Sequence, residues 1–221
     1  MEKIKLGNVF ILGDSYSTFK GCIPEGYKTY YDPSADDGKP VVSSPDLTWW
    51  GRVLNATDSN LVLNCSWSGT TICNTSYGGK YCPEDSFIGR ADKVLFGGNY
   101  VSEDINTFFV FGGTNDGWSG APIGEYRREN ITEEDKKCFR PAFIYLISSL
   151  KEKFKKSRII VIINCDIPEV VSESILKVSG DYGCETVILS GIEKIKDHPS
   201  QLGMKQIADQ VIEHLQKEVN K

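Results

Sequence analysis

The chain has 221 residues, 30 of them acidic and 25 basic, for a net charge of −5. Charges of both signs are spread along it, which argues against a nucleic-acid or anionic-membrane partner, since those demand clustered Lys and Arg. At 40% hydrophobic residues it can bury a substantial core, and no run reaches the roughly 18 apolar residues of a membrane span.

Residues 8–12 are apolar after Asn8, with Val9, Phe10 and Ile11 in succession, which suits a strand buried on both faces. Gly13-Asp14-Ser15 follows at once and reads as a sharp turn that exposes a serine before a helix. Residues 19–45 carry Pro24, Pro33, Pro40 and Pro45 together with Tyr27, Tyr30 and Tyr31. This is a long loop excursion of the kind that serves function in compact folds.

A helix is predicted over 46–54, with Leu47, Trp50 and Leu54 at helical spacing and Trp49 and Trp50 as packing residues. A second strand covers 61–65 and runs into Ser66-Trp67-Ser68-Gly69, and a short helix covers 86–94. The third strand is 107–111, followed by Gly112-Gly113-Thr114-Asn115-Asp116 as a loop. Thr132 with acidic residues 133–135 predicts the start of a long helix, in which Pro141 should cause a kink or a break, with the strong helix running from about Pro141 to Lys155. Residues 159–163 form a fourth strand, 168–179 a helix and 186–189 a fifth strand. His198-Pro199 then precedes a closing helix over 200–217.

Strand and helix alternate throughout, with no internal repeat and no linker. The economical architecture is one domain over 1–221, an α/β fold in which a parallel sheet of about five strands lies between two helical layers. Every strand of such a sheet delivers its following loop to one edge, so Ser15, Gly69, Asn115 and His198 become neighbours there. A hydroxyl, an imidazole and donors aimed at a developing oxyanion are the parts that acyl transfer requires.

On Gly13-Asp14-Ser15, Gly69, Gly113-Thr114-Asn115-Asp116 and His198-Pro199-Ser200, in that order over residues 13–200, the sequence resembles the SGNH branch of the GDSL hydrolases. The resemblance implies a flavodoxin-like three-layer sandwich and a serine esterase. It implies Ser15 as nucleophile and His198 as general base, with an oxyanion hole from the backbone N–H groups of Ser15 and Gly69 and the side-chain amide of Asn115. The family usually has an aspartate three residues before the histidine, where this chain has Ile195. The group orienting His198 is therefore Asp197, Glu193 or a backbone carbonyl.

Trp67 and Trp118 lie in motif loops and suit stacking on a sugar ring. The expected substrate is a short acyl, acetyl, ester of a carbohydrate. A lysophospholipase or thioesterase acting on longer chains, and a non-catalytic carbohydrate-binding descendant of the fold, are the alternatives. No metal-ligand spacing occurs and no phosphate loop follows Gly112-Gly113, so no cofactor is expected. Seven cysteines without a Cys-x-x-Cys pair, and a start (Met1, Glu2, Lys3) that leads directly toward the first strand, point to reduced thiols and a cytoplasmic location.

Overall fold

A computed structural model describes residues 4–97 and 104–219. Five strands, β1 (Asn8–Gly13), β2 (Asn60–Asn64), β3 (Thr107–Phe111), β4 (Arg158–Ile163) and β5 (Glu185–Ile188), form one parallel sheet in the order β2-β1-β3-β4-β5. The helices are α1 (Trp49–Thr57), α2 (Phe87–Ala91), α3 (Thr114–Ser119), α4 (Phe139–Lys153), α5 (Glu169–Asp181) and α6 (Gln201–Val219). Met1, Glu2 and Lys3, on which the expected location leans, fall outside the described residues.

The period of two along each strand divides the interior into two cores. Phe10, Leu12, Phe108, Val110, Ile159 and Val161 face one side with residues of α2, α4 and α5. Val9, Ile11, Phe109, Phe111, Ile160 and Ile162 face the other, with Trp49, Trp50 and residues of α6. Every residue of β3 is buried, as expected for a central strand covered on both faces, whereas the edge strands β2 and β5 each keep an exposed residue. The chain leaves β1 toward β2 on one side and returns to β3 on the other. The carboxyl ends of β1 and β3 thus frame a topological switch point, where ligands bind in open α/β sheets.

Several expectations need correction. No long helix starts at Thr132: Thr132 and Asp135 bond each other's backbone N–H groups at 2.9 and 3.2 Å and close only a 3-10 turn, Asp135–Lys137. The chain is then extended at Cys138 before α4 begins at Phe139. The break expected near Pro141 is found, and α4 matches the strong helix expected from about Pro141 to Lys155. Pro141 is the third residue of α4, where its missing N–H would have had no intrahelical partner, so it sits in the opening turn and does not kink the helix. The helix predicted from residue 46 starts three residues later, because Thr48 is its cap, accepting from the N–H of Gly51 at 3.0 Å.

The segment after β1 is a single 3-10 turn, Ser15–Ser17, and not a helix. Conversely, the loop read after β3 contains α3, which its glycine-rich, polar sequence concealed. A small antiparallel hairpin, β6 (Lys194–Ile195) and β7 (His198–Pro199), was not foreseen at all. All seven cysteines are free thiols, and no helix among the described residues is long and apolar enough to cross a membrane.

Candidate active site

Glycine at 13 is a steric requirement. A Cβ there would stand 2.5 Å from Ser66 Oγ and 2.6 Å from Ser17 Oγ, so only glycine lets the end of β1 pass this close to the β2 loop. Asp14 caps the turn, its Oδ1 accepting from the N–H of Tyr16 at 3.1 Å. Three side chains pin the turn from below at Ser17: Trp49 Nε1 donates to its hydroxyl at 3.1 Å, and Trp50 Nε1 and Asn64 Nδ2 donate to its carbonyl at 3.0 and 2.7 Å. Ser15 sits on this fixed platform with its hydroxyl turned toward the last loop of the sheet edge.

That loop is the β6–β7 hairpin. Lys196 and Asp197 both have positive φ, 50° and 62°, the geometry of a two-residue type I′ turn. Neither is Gly or Asn, which is why the sequence did not announce it. The turn directs the half-buried His198 at Ser15, with Nε2 lying 2.9 Å from Ser15 Oγ. Nδ1 lies 3.0 Å from the carbonyl of Lys196. A carbonyl only accepts, so Nδ1 carries the proton and Nε2 is free to take one from the serine.

Neither carboxylate considered from the sequence holds Nδ1. Glu193 is committed to the start of α6, where its carboxylate accepts from Ser200 Oγ and its N–H donates to Gln206 at 2.7 Å. Asp197 offers its backbone carbonyl to the Tyr16 hydroxyl at 2.5 Å and reaches the imidazole only through its charge. Burial holds the His198 pKa below the ordinary 6.5. The Lys196 hydrogen bond and Asp197 oppose that shift, while Lys194 and Lys39 reinforce it.

Gly69 and Asn115 meet across the β2 and β3 loops. Asn115 Nδ2 donates to the carbonyl of Thr70, next to Gly69, at 2.9 Å. The Tyr77 hydroxyl donates to Asn115 Oδ1 at 2.8 Å, which fixes the amide's orientation and leaves one N–H on Nδ2 for another acceptor. Gly69 has φ of +82° and open space where a Cβ would be, so its backbone can be approached closely. Asp116 holds the β2 loop by accepting from the N–H groups of Ile72 and Cys73 at 2.8 and 3.1 Å. Burial raises the carboxyl pKa of Asp14 to about 7 and of Asp116 to about 6, and both serve backbone geometry.

One support was invisible in the sequence. Arg90 on α2 is fully buried and donates to the carbonyls of Cys65, of Gly13 at 3.2 Å and of Asp85 at 2.9 Å, and to Thr70 Oγ1 at 3.1 Å. It ties the end of β1, just before the Ser15 turn, to the Gly69 loop. Arg90→Met should leave these acceptors unpaired and destabilise the protein by about 3 kcal/mol in a denaturant titration.

The excursion before α1 wraps both ends of the site. Tyr27 stacks on Trp67 at 4.2 Å, Tyr30 stacks on His198 at 3.6 Å, and Tyr31 is buried with its hydroxyl on the carbonyl of Pro199 at 2.9 Å. Trp67, Gly69, Thr70 and Tyr77 line a cleft of about 360 Å³ that also holds Lys28, Lys80 and Asp85. A second cleft, of about 350 Å³, is bounded by Trp118, Asp166, Lys194 and Asp197. Trp118 is 38% exposed, and its ring centre is 6.2 Å from that of His198. Among the described residues no group of three or more His, Cys, Asp or Glu could hold a metal ion.

Comparison with known proteins is consistent along the chain. Residues 7–215 match the model of the GDSL-like lipase/acylhydrolase family. A GDSL-like lipase from Bacteroides ovatus superposes with a TM-score of 0.88 at 34% identity, over 98% of this chain and 100% of that one. One from Bacteroides uniformis gives 0.87 at 38%, over 96% of each chain. A family two carbohydrate esterase from Clostridium thermocellum, solved in complex with cellohexaose, shares the fold with a TM-score of 0.67 at 14% identity, over 99% of this chain and 66% of that one. A search of curated proteins finds no match.

Proposed function

The chain belongs to the GDSL-like lipase/acylhydrolase family and is a hydrolase of ester bonds, and from that premise we propose that Ser15 and His198 carry the reaction as a dyad. The observation behind this is the 2.9 Å contact between Ser15 Oγ and a His198 Nε2 whose partner nitrogen is already protonated. Ser15 attacks the ester carbonyl as Nε2 takes its proton. The oxyanion is met by the N–H groups of Ser15 and Gly69 and the amide of Asn115. His198 then protonates the leaving alcohol, and water, activated by the same nitrogen, releases the acyl group from Ser15.

We further propose that the substrate is a short acyl ester, such as an acetyl ester, of a carbohydrate. The leaving alcohol takes its proton from His198 and so departs on that side, where the cleft offers the exposed ring of Trp118 beside Asp166, Lys194 and Asp197. A ring face flanked by hydrogen-bonding groups suits a sugar. The cleft near Gly69 includes Lys28, Lys80 and Asp85, a lining against which a long alkyl chain gains little by burial.

Trp118→Ala should raise KM for an acetylated sugar about tenfold while leaving that for p-nitrophenyl acetate nearly unchanged. Preference for long-chain acyl esters in a chain-length panel would contradict the carbohydrate assignment and favour a lysophospholipase or thioesterase.

A further inference from the structure

The imidazolium that forms when His198 accepts the serine proton has no carboxylate at Nδ1; its partner there is the neutral carbonyl of Lys196. Another group lies against the ring instead. Tyr30, from the excursion before α1, is stacked on the imidazole with ring centres 3.6 Å apart and planes 7° from parallel. Its position is fixed from both sides. The Tyr30 N–H donates to Thr18 Oγ1 at 2.9 Å, and that hydroxyl donates to the carbonyl of Ser15 at 3.0 Å. The next residue, Tyr31, is anchored to Pro199, the neighbour of His198. The stack is thus tied to the nucleophile turn at one end and to the histidine hairpin at the other.

We propose that Tyr30 is a positioning residue for His198, its ring face holding the imidazole in line with Ser15 and stabilising the imidazolium formed during acyl transfer. This rests on the dyad reading above. A parallel ring on one face prevents the rotation that a carboxylate at Nδ1 would otherwise restrain. An aromatic face within about 6 Å of a cation also attracts it electrostatically, and more strongly where water is excluded. Neutral imidazole gains much less from that face, so the stabilisation grows as the proton is transferred and acts on the transition state.

The other charges around the ring are Asp197 and Lys194 on its own hairpin and Lys39 on the excursion, with the Tyr16 phenol from the turn after β1. Lys39 also lies 5.1 Å from the Tyr30 ring centre but is paired with Asp37 at 2.5 Å. Substitutions confined to Tyr30 keep every one of these charged groups, and Tyr30→Phe also keeps the ring beside Lys39.

The test compares Tyr30→Phe with Tyr30→Leu on p-nitrophenyl acetate across pH. Phenylalanine keeps the ring face, and leucine keeps an apolar cover without it. Tyr30→Phe should stay within about twofold of the parent in kcat. Tyr30→Leu should lose about tenfold in kcat at the plateau with KM unchanged. Its acid limb of kcat/KM should also move to lower pH, because losing stabilisation of the protonated ring lowers the His198 pKa.

A Tyr30→Leu enzyme with the parent's kcat would overturn the proposal, as would an acid limb that stays or moves upward. So would an effect on KM alone, which would make Tyr30 a substrate contact. His198→Ala measured alongside reads the dyad separately: an active His198→Ala enzyme removes the dyad itself, whatever Tyr30 does.

Discussion

Ser15→Ala should reduce ester hydrolysis by about 10⁴-fold or more while leaving the fold intact. The reason is local. Ser15 is 4% exposed on a turn held by Asp14, Trp49, Trp50 and Asn64, none of which uses its hydroxyl. That hydroxyl bonds His198, so alanine removes the proposed attacking oxygen and one hydrogen bond worth about 1 kcal/mol. A thermal melt should barely move while turnover disappears. His198→Ala should lose nearly as much, and the double variant little more, because a nucleophile and its base act as one unit. A double variant far slower than either single one would mean that the two residues act independently.

Asn115→Ala carries the next largest expected loss, about 10²–10³ in kcat with KM little changed. Asn115 is 3% exposed and tethered at both ends of its amide, to Thr70 and to Tyr77, so its remaining N–H is oriented before substrate arrives. A donor fixed in advance costs no reorganisation when negative charge develops, which is why its removal falls on kcat. Asn115→Asp should be slower still, since it replaces a donor with a negative charge facing the oxyanion. Steady-state kinetics on a soluble ester decide this: an Asn115→Ala enzyme with unchanged kcat would remove the amide from the oxyanion hole.

Much of this site could be read from the chain because buried strands and the loops after them have strong local signatures. Val9-Phe10-Ile11-Leu12 and Phe108-Phe109-Val110-Phe111 are continuous apolar runs, and parallel topology alone sends Ser15, Gly69 and Asn115 to one edge. Groups that act through backbone or across long separations were not legible. The partner of His198 Nδ1 is a main-chain carbonyl, the third of the alternatives considered from the sequence, but no side-chain pattern could single it out over Asp197 and Glu193, and the turn that displays it has Lys and Asp as its positive-φ residues.

Arg90 goes unremarked in the sequence, yet it is buried with donors to the carbonyls of Cys65 and Gly13, 25 and 77 residues away, and of Asp85 beside its own helix. Tyr77 lies beside two glycines in an irregular stretch, and only the folded chain brings its hydroxyl to Asn115, 38 residues away. The three tyrosines of the excursion were visible as a group. Their separate destinations, on Trp67, on His198 and in the core, depend on how the excursion folds back over the sheet edge.

The central claim is that Ser15 is the nucleophile and that His198 activates it. Labelling with a fluorophosphonate, followed by mass mapping of the modified peptide, tests both halves at once. A single adduct on Ser15 is predicted, absent in Ser15→Ala and formed far more slowly in His198→Ala. An adduct on any other residue, or labelling of Ser15 at the same rate without His198, would contradict it.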